Sequence, residues 1–211
     1  MKGQNERIHA IVFDFGGVLI DWDPRYLYRK LFVDDPQGME RFLEEIDFYD
    51  WNLQQDAGRS FAEAVAEHCQ LYPEYCELIR AYDARWEESL HGPIQPSVAI
   101  LKALKQTDLE LYGLSNWSVE KFQLVRCQYE FLDWFESIII SGQVRIVKPD
   151  PRIFRLMLDQ IGRPASECLL IDDSVVNINV ACELGFKTIH FQSPEQLKTE
   201  LLDMGLLPVS A

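Results

Sequence analysis

The sequence predicts an α/β protein: a parallel sheet flanked by helices on both sides, with a helical segment inserted after the first strand. Three observations carry this. Five short apolar runs lack strict apolar–polar alternation, as strands buried on both faces do. Helical patterns separate most of these runs, and strand–helix repetition builds parallel sheets. One long stretch, residues 21–92, breaks the rhythm and reads as helical throughout.

The runs are IHAIVF (8–13), LELYGL (109–114), SIII (137–140), CLLI (168–171) and KTIHF (187–191). PSVAILKALKQ precedes the second, SVEKFQLVRCQ follows it, PRIFRLMLDQIG leads to the fourth, and VVNINVACELG links the fourth to the fifth. Within 21–92 helices are expected from Pro24, from Gln37, from Ser60 and over PEYCELIRAYDARWEESL. Ser60 and Glu63 have the spacing of a capping box. His91-Gly92-Pro93 reads as the return linker, because Gly and Pro stop helices. The expected division is a core of residues 1–20 and 93–211 and a helical insert of residues 21–92.

Composition sets the outer limits. The 211 residues suffice for one sizeable core with an insert, and an apolar fraction of 47% with 11 Gly and 10 Pro excludes a disordered or fibrous chain. Thirty-four acids against 20 Lys and Arg give a formal charge of −14. That argues against nucleic acid, which needs a basic face. No run approaches the length of a membrane span, and MKGQNERIHA lacks the apolar core of a signal peptide. Cys69, Cys76, Cys127, Cys168 and Cys182 are odd in number and show no CxxC spacing. They imply a reduced cytosolic protein without a zinc site or disulfide frame. The four histidines are scattered, and Trp22, Trp51 and Trp86 read as packing residues.

The chemistry gathers where strands end. Asp14 follows the first strand, with Gly16 and Gly17 after it. The carboxyl edge of an open α/β sheet is where ligands bind, although a single Asp there also reads as a turn cap. Ser115 and Asn116 end the second strand and offer donors to an oxyanion, or are ordinary turn residues. Lys148 lies in the loop before a helix that Asp150 and Pro151 start, and alone it reads as a solvated lysine. Asp172-Asp173 end the fourth strand, where two adjacent carboxylates repel unless a cation is near; hard oxygen ligands suit Mg²⁺. Together, a carboxylate nucleophile, a hydroxyl donor, a lysine and a Mg²⁺ site describe phosphoryl transfer through an aspartyl-phosphate.

These motifs, FDFGGVL, LSN, KPDP and LLIDDS in this order, resemble the haloacid dehalogenase (HAD) superfamily over the whole chain. The resemblance implies a Rossmann-like core, and the insert resembles the helical cap of the subgroup that includes β-phosphoglucomutase, sugar phosphatases and 2-haloacid dehalogenases. It implies Asp14 as nucleophile, Ser115 and Lys148 as phosphate-binding groups, Asp173 as direct Mg²⁺ ligand with Asp172 beside it, and the Gly16 carbonyl as a further ligand. Phosphatases of this family usually carry a second Asp two residues after the nucleophile as general acid and base. Here Gly16 stands there, as in a branch similar to α-glucose-1-phosphate phosphatase. The implied substrate is a small phosphorylated metabolite, a sugar phosphate in particular. The alternatives are a 2-haloacid dehalogenase-type hydrolase, disfavoured by the acidic pair, and a non-catalytic binding protein on the same fold. Substrate-reading residues are expected from Asp21, Trp22, Asp23 and Arg25 near the hinge, from the Asp56-Ala57-Gly58-Arg59 loop, and from Asn116. With no acid at Gly16, the leaving oxygen is expected to depart as an alkoxide or to take its proton from water or a more distant group; the competing expectation is that Asp21 or Asp23 swings in from the hinge and supplies it.

Overall fold

A computed structural model describes residues 7–207; residues 1–6, which carry part of the signal-peptide reading, lie outside the described residues. The chain runs β1 (Ala10–Phe13), β2 (Ile20–Trp22), then five insert helices: α1 (Pro24–Tyr28), α2 (Pro36–Glu45), α3 (Phe48–Asp56), α4 (Phe61–Leu71) and α5 (Cys76–Ala84). It continues through β3 (Leu90–Pro93), α6 (Gln95–Leu104), β4 (Glu110–Ser115), α7 (Val119–Val125), β5 (Ser137–Ile140) and α8 (Ser141–Val144). It closes with α9 (Pro151–Ile161), β6 (Cys168–Asp172), α10 (Val175–Glu183), β7 (Lys187–His190) and α11 (Pro194–Asp203).

Five strands form one parallel sheet in the order β5-β4-β1-β6-β7. All four residues of β1 are fully buried, as a central strand covered on both faces requires. The register sets Phe13 beside Gly113 on β4 and Ile171 on β6, so Asp14 leaves the sheet level with Asp172. The five apolar runs are thus the five sheet strands.

Three features differ from the sequence reading. The ends of the insert are strands: β2 and β3 pair antiparallel as a two-stranded ribbon. Gly92 and Pro93 hid β3, because both are depleted in strands. Helix α3 was not anticipated. Its buried stripe is Phe48, Trp51 and Gln55, and the polar Gln55 interrupts the apolar pattern while donating to the Trp51 carbonyl at 2.6 Å. Cys69 and Cys76 form a disulfide, against the expectation of five thiols; Cys127, Cys168 and Cys182 are free. The turn through Pro73 brings the end of α4 to the start of α5, with the two Cα atoms 4.6 Å apart.

The two anticipated caps form: Ser60 and Asp150 each accept a backbone N–H at the start of α4 and α9, and Asp23 and Asp35 do the same, without having been anticipated, at the start of α1 and α2. Ser60 also donates to the Glu63 carboxylate at 2.8 Å, so the box closes through side chains. Aromatic edge-to-face contacts fill the insert, among them Tyr28–Phe42 and Phe48–Tyr82 at 4.9 and 4.8 Å between centroids. Among the described residues no helix is long and apolar enough to cross a membrane.

Candidate active site

Asp14, Lys148 and Asp172 form one buried ion-paired unit at the carboxyl edge of β1 and β6. The Lys148 ammonium lies 2.9 Å from Asp14 Oδ2 and 2.6 Å from Asp172 Oδ2. The other Asp14 oxygen accepts the Phe15 N–H at 2.7 Å. Asp172 is saturated: it also accepts from Asn177 Nδ2 at 2.9 and 3.1 Å and from the Ser174 N–H at 2.9 Å. Burial raises the pKa of Asp14 to about 7 against the pull of Lys148, and repulsion from Asp172 and Asp173 adds to it. Burial opposes the charge on Lys148, but Asp14 and Asp172 outweigh it and hold its pKa above the ordinary value.

Lys148 reaches this position because its own backbone is clamped. Asn116 Nδ2 donates to the Lys148 carbonyl at 2.9 Å, and the Lys148 N–H donates to Asn116 Oδ1 at 2.8 Å. Asn116, expected as a substrate contact, thus positions Lys148 and also lines the cavity between the insert and this edge. Ser115 ends β4, buried, one strand from Asp14.

Asp173 is the open member of the acidic group. Ligand atoms of Asp14, Asp172 and Asp173 all lie within 4.8 Å of one another. Its carboxylate presses on Gly17, whose φ is +72° and where a Cβ would come within 2.3 Å of Asp173 Oδ2, so only glycine fits the turn. Desolvation and the neighbouring Asp172 raise its pKa. Three carboxylates against one ammonium leave two uncompensated negative charges when all are ionised. An oxygen-lined site short of two positive charges fits Mg²⁺. Asp172 is the most heavily engaged of the three carboxylates; both Asp14 oxygens are also in contact, with the Phe15 N–H and Lys148, and Asp173 is the most open to a cation.

A cavity of about 60 Å³ separates the insert from this edge, and Gly16, Trp22, Asp56, Phe61, Trp86 and Trp117 are among its walls. A Cβ built at Gly16 would meet nothing within 4 Å. The Trp117 indole N–H is buried without a partner. Asp56, the last residue of α3, keeps partial exposure and is otherwise enclosed by protein. Burial raises its carboxyl to about 7, offset only by the Ser118 backbone N–H. Asn52 Nδ2 donates to it at 3.1 Å, and Asn52 Oδ1 accepts from the Tyr82 hydroxyl at 3.0 Å.

Arg25 and Arg59, expected as substrate readers, are not among the residues lining this cavity. Arg25 makes a fork to Glu40 at 2.7 and 2.8 Å, and Arg59 binds Gln55 and Glu67. Arg25 also donates to the Tyr49 hydroxyl and so is engaged wholly within the insert, whereas the Arg59 Nη2 is buried without a partner. Asp21 accepts from Tyr26, and Asp23 caps α1; neither lines the cavity. Asn52, Trp86, Trp117 and Ser118 line it without having been singled out as site residues, because each reads as ordinary packing or turn chemistry.

The insert is docked on the core. Ser141 donates to the Asp56 carbonyl at 2.6 Å, the Phe61 N–H donates to Glu120 at 3.1 Å, and Lys121 reaches Asp83 at 2.6 Å.

Known proteins share this fold. A family model described as haloacid dehalogenase-like hydrolase matches residues 8–185. The chain is 24% identical over 205 residues to a D-ribitol-5-phosphate phosphatase of Bacteroides thetaiotaomicron, covering 92% of this chain and 97% of that protein. It is 30% identical over 209 residues to drimenol cyclase drtB of Aspergillus calidoustus, but spans only 36% of that protein's length while 93% of this chain is covered. A HAD-family enzyme of Bacteroides thetaiotaomicron, solved with magnesium and inorganic phosphate, superposes with a TM-score of 0.66 at 28% identity, covering 88% of this chain and 94% of that one.

Proposed function

This chain belongs to the haloacid dehalogenase-like hydrolases, and we propose that it is a Mg²⁺-dependent phosphatase of small phosphorylated metabolites, sugar phosphates foremost. The observation that carries the reading is the acidic trio of Asp14, Asp172 and Asp173 balanced by a single buried Lys148. A dehalogenase of this family has no use for such a deficit of positive charge.

In this reading Asp14 attacks phosphorus and carries the phosphoryl group as an acyl-phosphate. Lys148 keeps Asp14 in place and neutralises charge on the transferring oxygens. Ser115 donates to one of those oxygens. Asp14, Asp173 and the Gly16 carbonyl hold Mg²⁺, which when bound supplies the charge that lets a phosphate dianion approach a carboxylate. Asp172 fixes Lys148 and is not needed as a ligand. Residues 21–92 act as a cap whose docking shields the acyl-phosphate from bulk water. The aromatic walls of the small cavity, with the unpartnered Trp117 N–H, suit a compact leaving group carrying hydroxyls.

Phosphate release from p-nitrophenyl phosphate, with and without Mg²⁺, tests the proposal, beside halide release from 2-chloropropionate. Phosphate release should require the cation, and Asp14→Asn should lower it by more than about a thousandfold, as loss of a nucleophile does. Halide release, or phosphate release indifferent to EDTA, overturns it.

A further inference from the structure

We propose that Asp56, at the tip of α3 in the insert, is the proton donor to the leaving oxygen, in the place that Gly16 leaves empty. The inference rests on the phosphatase reading above. Gly16 offers no side chain, and a Cβ there would meet open space. Across that space the same cavity is walled by Asp56. Of the acids near the hinge, Asp21 and Asp23 are turned to Tyr26 and to the start of α1, and neither lines the cavity.

The surroundings of Asp56 suit an acid that keeps its proton. The groups facing it are neutral: the Asn52 amide on its own helix at 3.1 Å, the Ser118 N–H before α7, and behind Asn52 the Tyr82 phenol of α5. No cation among the described residues lowers it, and burial holds its pKa near 7. Asn52 is itself fixed by Tyr82, so the carboxyl is held from behind while it opens to the cavity. The docking bond from Ser141 to the Asp56 carbonyl brings this residue to the core whenever the insert is closed. Proton delivery is therefore coupled to closure, and an open enzyme lacks its acid.

The steps balance. Asp14 carboxylate attacks phosphorus and the bond from phosphorus to the alcohol oxygen breaks. That oxygen takes the Asp56 proton, giving a neutral alcohol, the Asp14 acyl-phosphate and an Asp56 carboxylate. Water then attacks phosphorus and gives one proton back to Asp56. Hydrogen phosphate leaves, and Asp14 carboxylate and Asp56 acid are restored.

The test compares two leaving groups in the full-length, Mg²⁺-loaded protein: a primary alkyl phosphate, glycerol 1-phosphate, and p-nitrophenyl phosphate. The aryl group departs without a proton; the alkyl group needs one. Asp56→Asn should lower kcat/KM for the alkyl ester by 10²–10⁴-fold, the usual contribution of a general acid, and for the aryl ester by less than about fivefold. In wild type, kcat/KM for the alkyl ester should fall as pH rises through about 7, because the acid form is required; the aryl ester should not show that limb. Wild-type profiles need no variant to fold. Equal losses on both esters, or an alkyl profile without that limb, overturn the assignment. Absence of Asp14-dependent turnover of p-nitrophenyl phosphate overturns instead the phosphatase reading on which it stands.

Discussion

Asp14 and Asp56 are both enclosed carboxyl groups whose pKa burial raises to about 7, yet they are built for opposite protonation states. Asp14 lies at the sheet edge with a lysine at 2.9 Å and with Asp173, the open carboxylate of the trio, beside it. Its raised pKa comes first from burial and then from repulsion by Asp172 and Asp173, and a divalent ion would offset both. Asp56 lies on the insert among neutral donors, and no cation among the described residues offsets its burial. In the proposed reaction the sheet edge thus supplies a nucleophile ready to be ionised, and the underside of the insert a group that keeps its proton. That would divide the labour by element, with charge chemistry at the strand ends and proton chemistry on the insert.

Removing the cation on the sheet side should give the largest effect. Lys148→Met keeps much of the side-chain volume but leaves Asp14 and Asp172 unpaired in the interior. Breaking a buried ion pair from one side costs about 3–5 kcal/mol, which for a chain of this size lowers the melting temperature by roughly 10 °C. Millimolar Mg²⁺ should restore part of the loss, since it binds the folded state alone. A variant that melts within about 2 °C of wild type would mean the trio is balanced by something other than Lys148.

On the insert side the same logic runs with opposite sign. The folded-state pKa of Asp56 lies above the ordinary carboxylate value of 3.8, near 7. Its contribution to stability is complete below the ordinary value and is lost as pH rises through about 7. Asp56→Asn carries no such loss. The variant should match wild type near pH 4 and become the more stable form by pH 8, by at most about 4 kcal/mol, less what water in the cavity recovers. Denaturant titrations across that range give the difference directly. Parallel stability curves would show that Asp56 is ionised and solvated, and would remove the contrast with Asp14.

The two regions also differed in how far the sequence disclosed them. Sheet strands are defined by local apolar runs, and a polar residue directly after such a run has only one place to go. Asp14, Ser115 and Asp172-Asp173 were therefore legible, whereas Lys148, separated from β5 by α8, was legible from the helix start that follows it and from the resemblance. Which of the pair could bind a cation was legible only by resemblance, because the saturation of Asp172 depends on Asn177, five residues on, and on Lys148 from another loop. The underside of the insert was largely illegible. Asp56 stood out only as one residue of a loop, and Arg25 and Arg59 looked as eligible. Burial of an acid and the consumption of an arginine by Glu40 or Glu67 are properties of packing between helices, which no local pattern encodes. The β2–β3 ribbon and the Cys69–Cys76 bridge were missed for the same reason: each joins segments whose pairing depends on the fold between them.

The smallest effect is expected at the contact that joins the two regions. Lys121 of α7 is nearly buried; its ammonium donates to the Asp83 carboxylate at 2.6 Å and to the Asp83 carbonyl at 2.9 Å, and it sits 4.2 Å from the centre of the Phe61 ring. Phe61 is itself a cavity wall. Lys121→Met retains the aliphatic stem and deletes the charge. An ion pair of this partial exposure contributes up to about 1 kcal/mol, and a cation over an aromatic face contributes a similar amount. The insert carries its own aromatic core, so this loss should fall on docking and hardly on folding, shifting the melting temperature by less than about 4 °C. A docking loss of about 1 kcal/mol opens the enzyme some fivefold more often. Turnover of the alkyl ester should fall by up to that factor, the full factor being reached where the open state dominates, because it needs Asp56 delivered by closure, while turnover of p-nitrophenyl phosphate should fall less. Added salt should narrow the gap between wild type and variant, as screening weakens the pair in the wild type. If both esters lose activity equally, closure serves to exclude water from the sheet edge and does not deliver the proton.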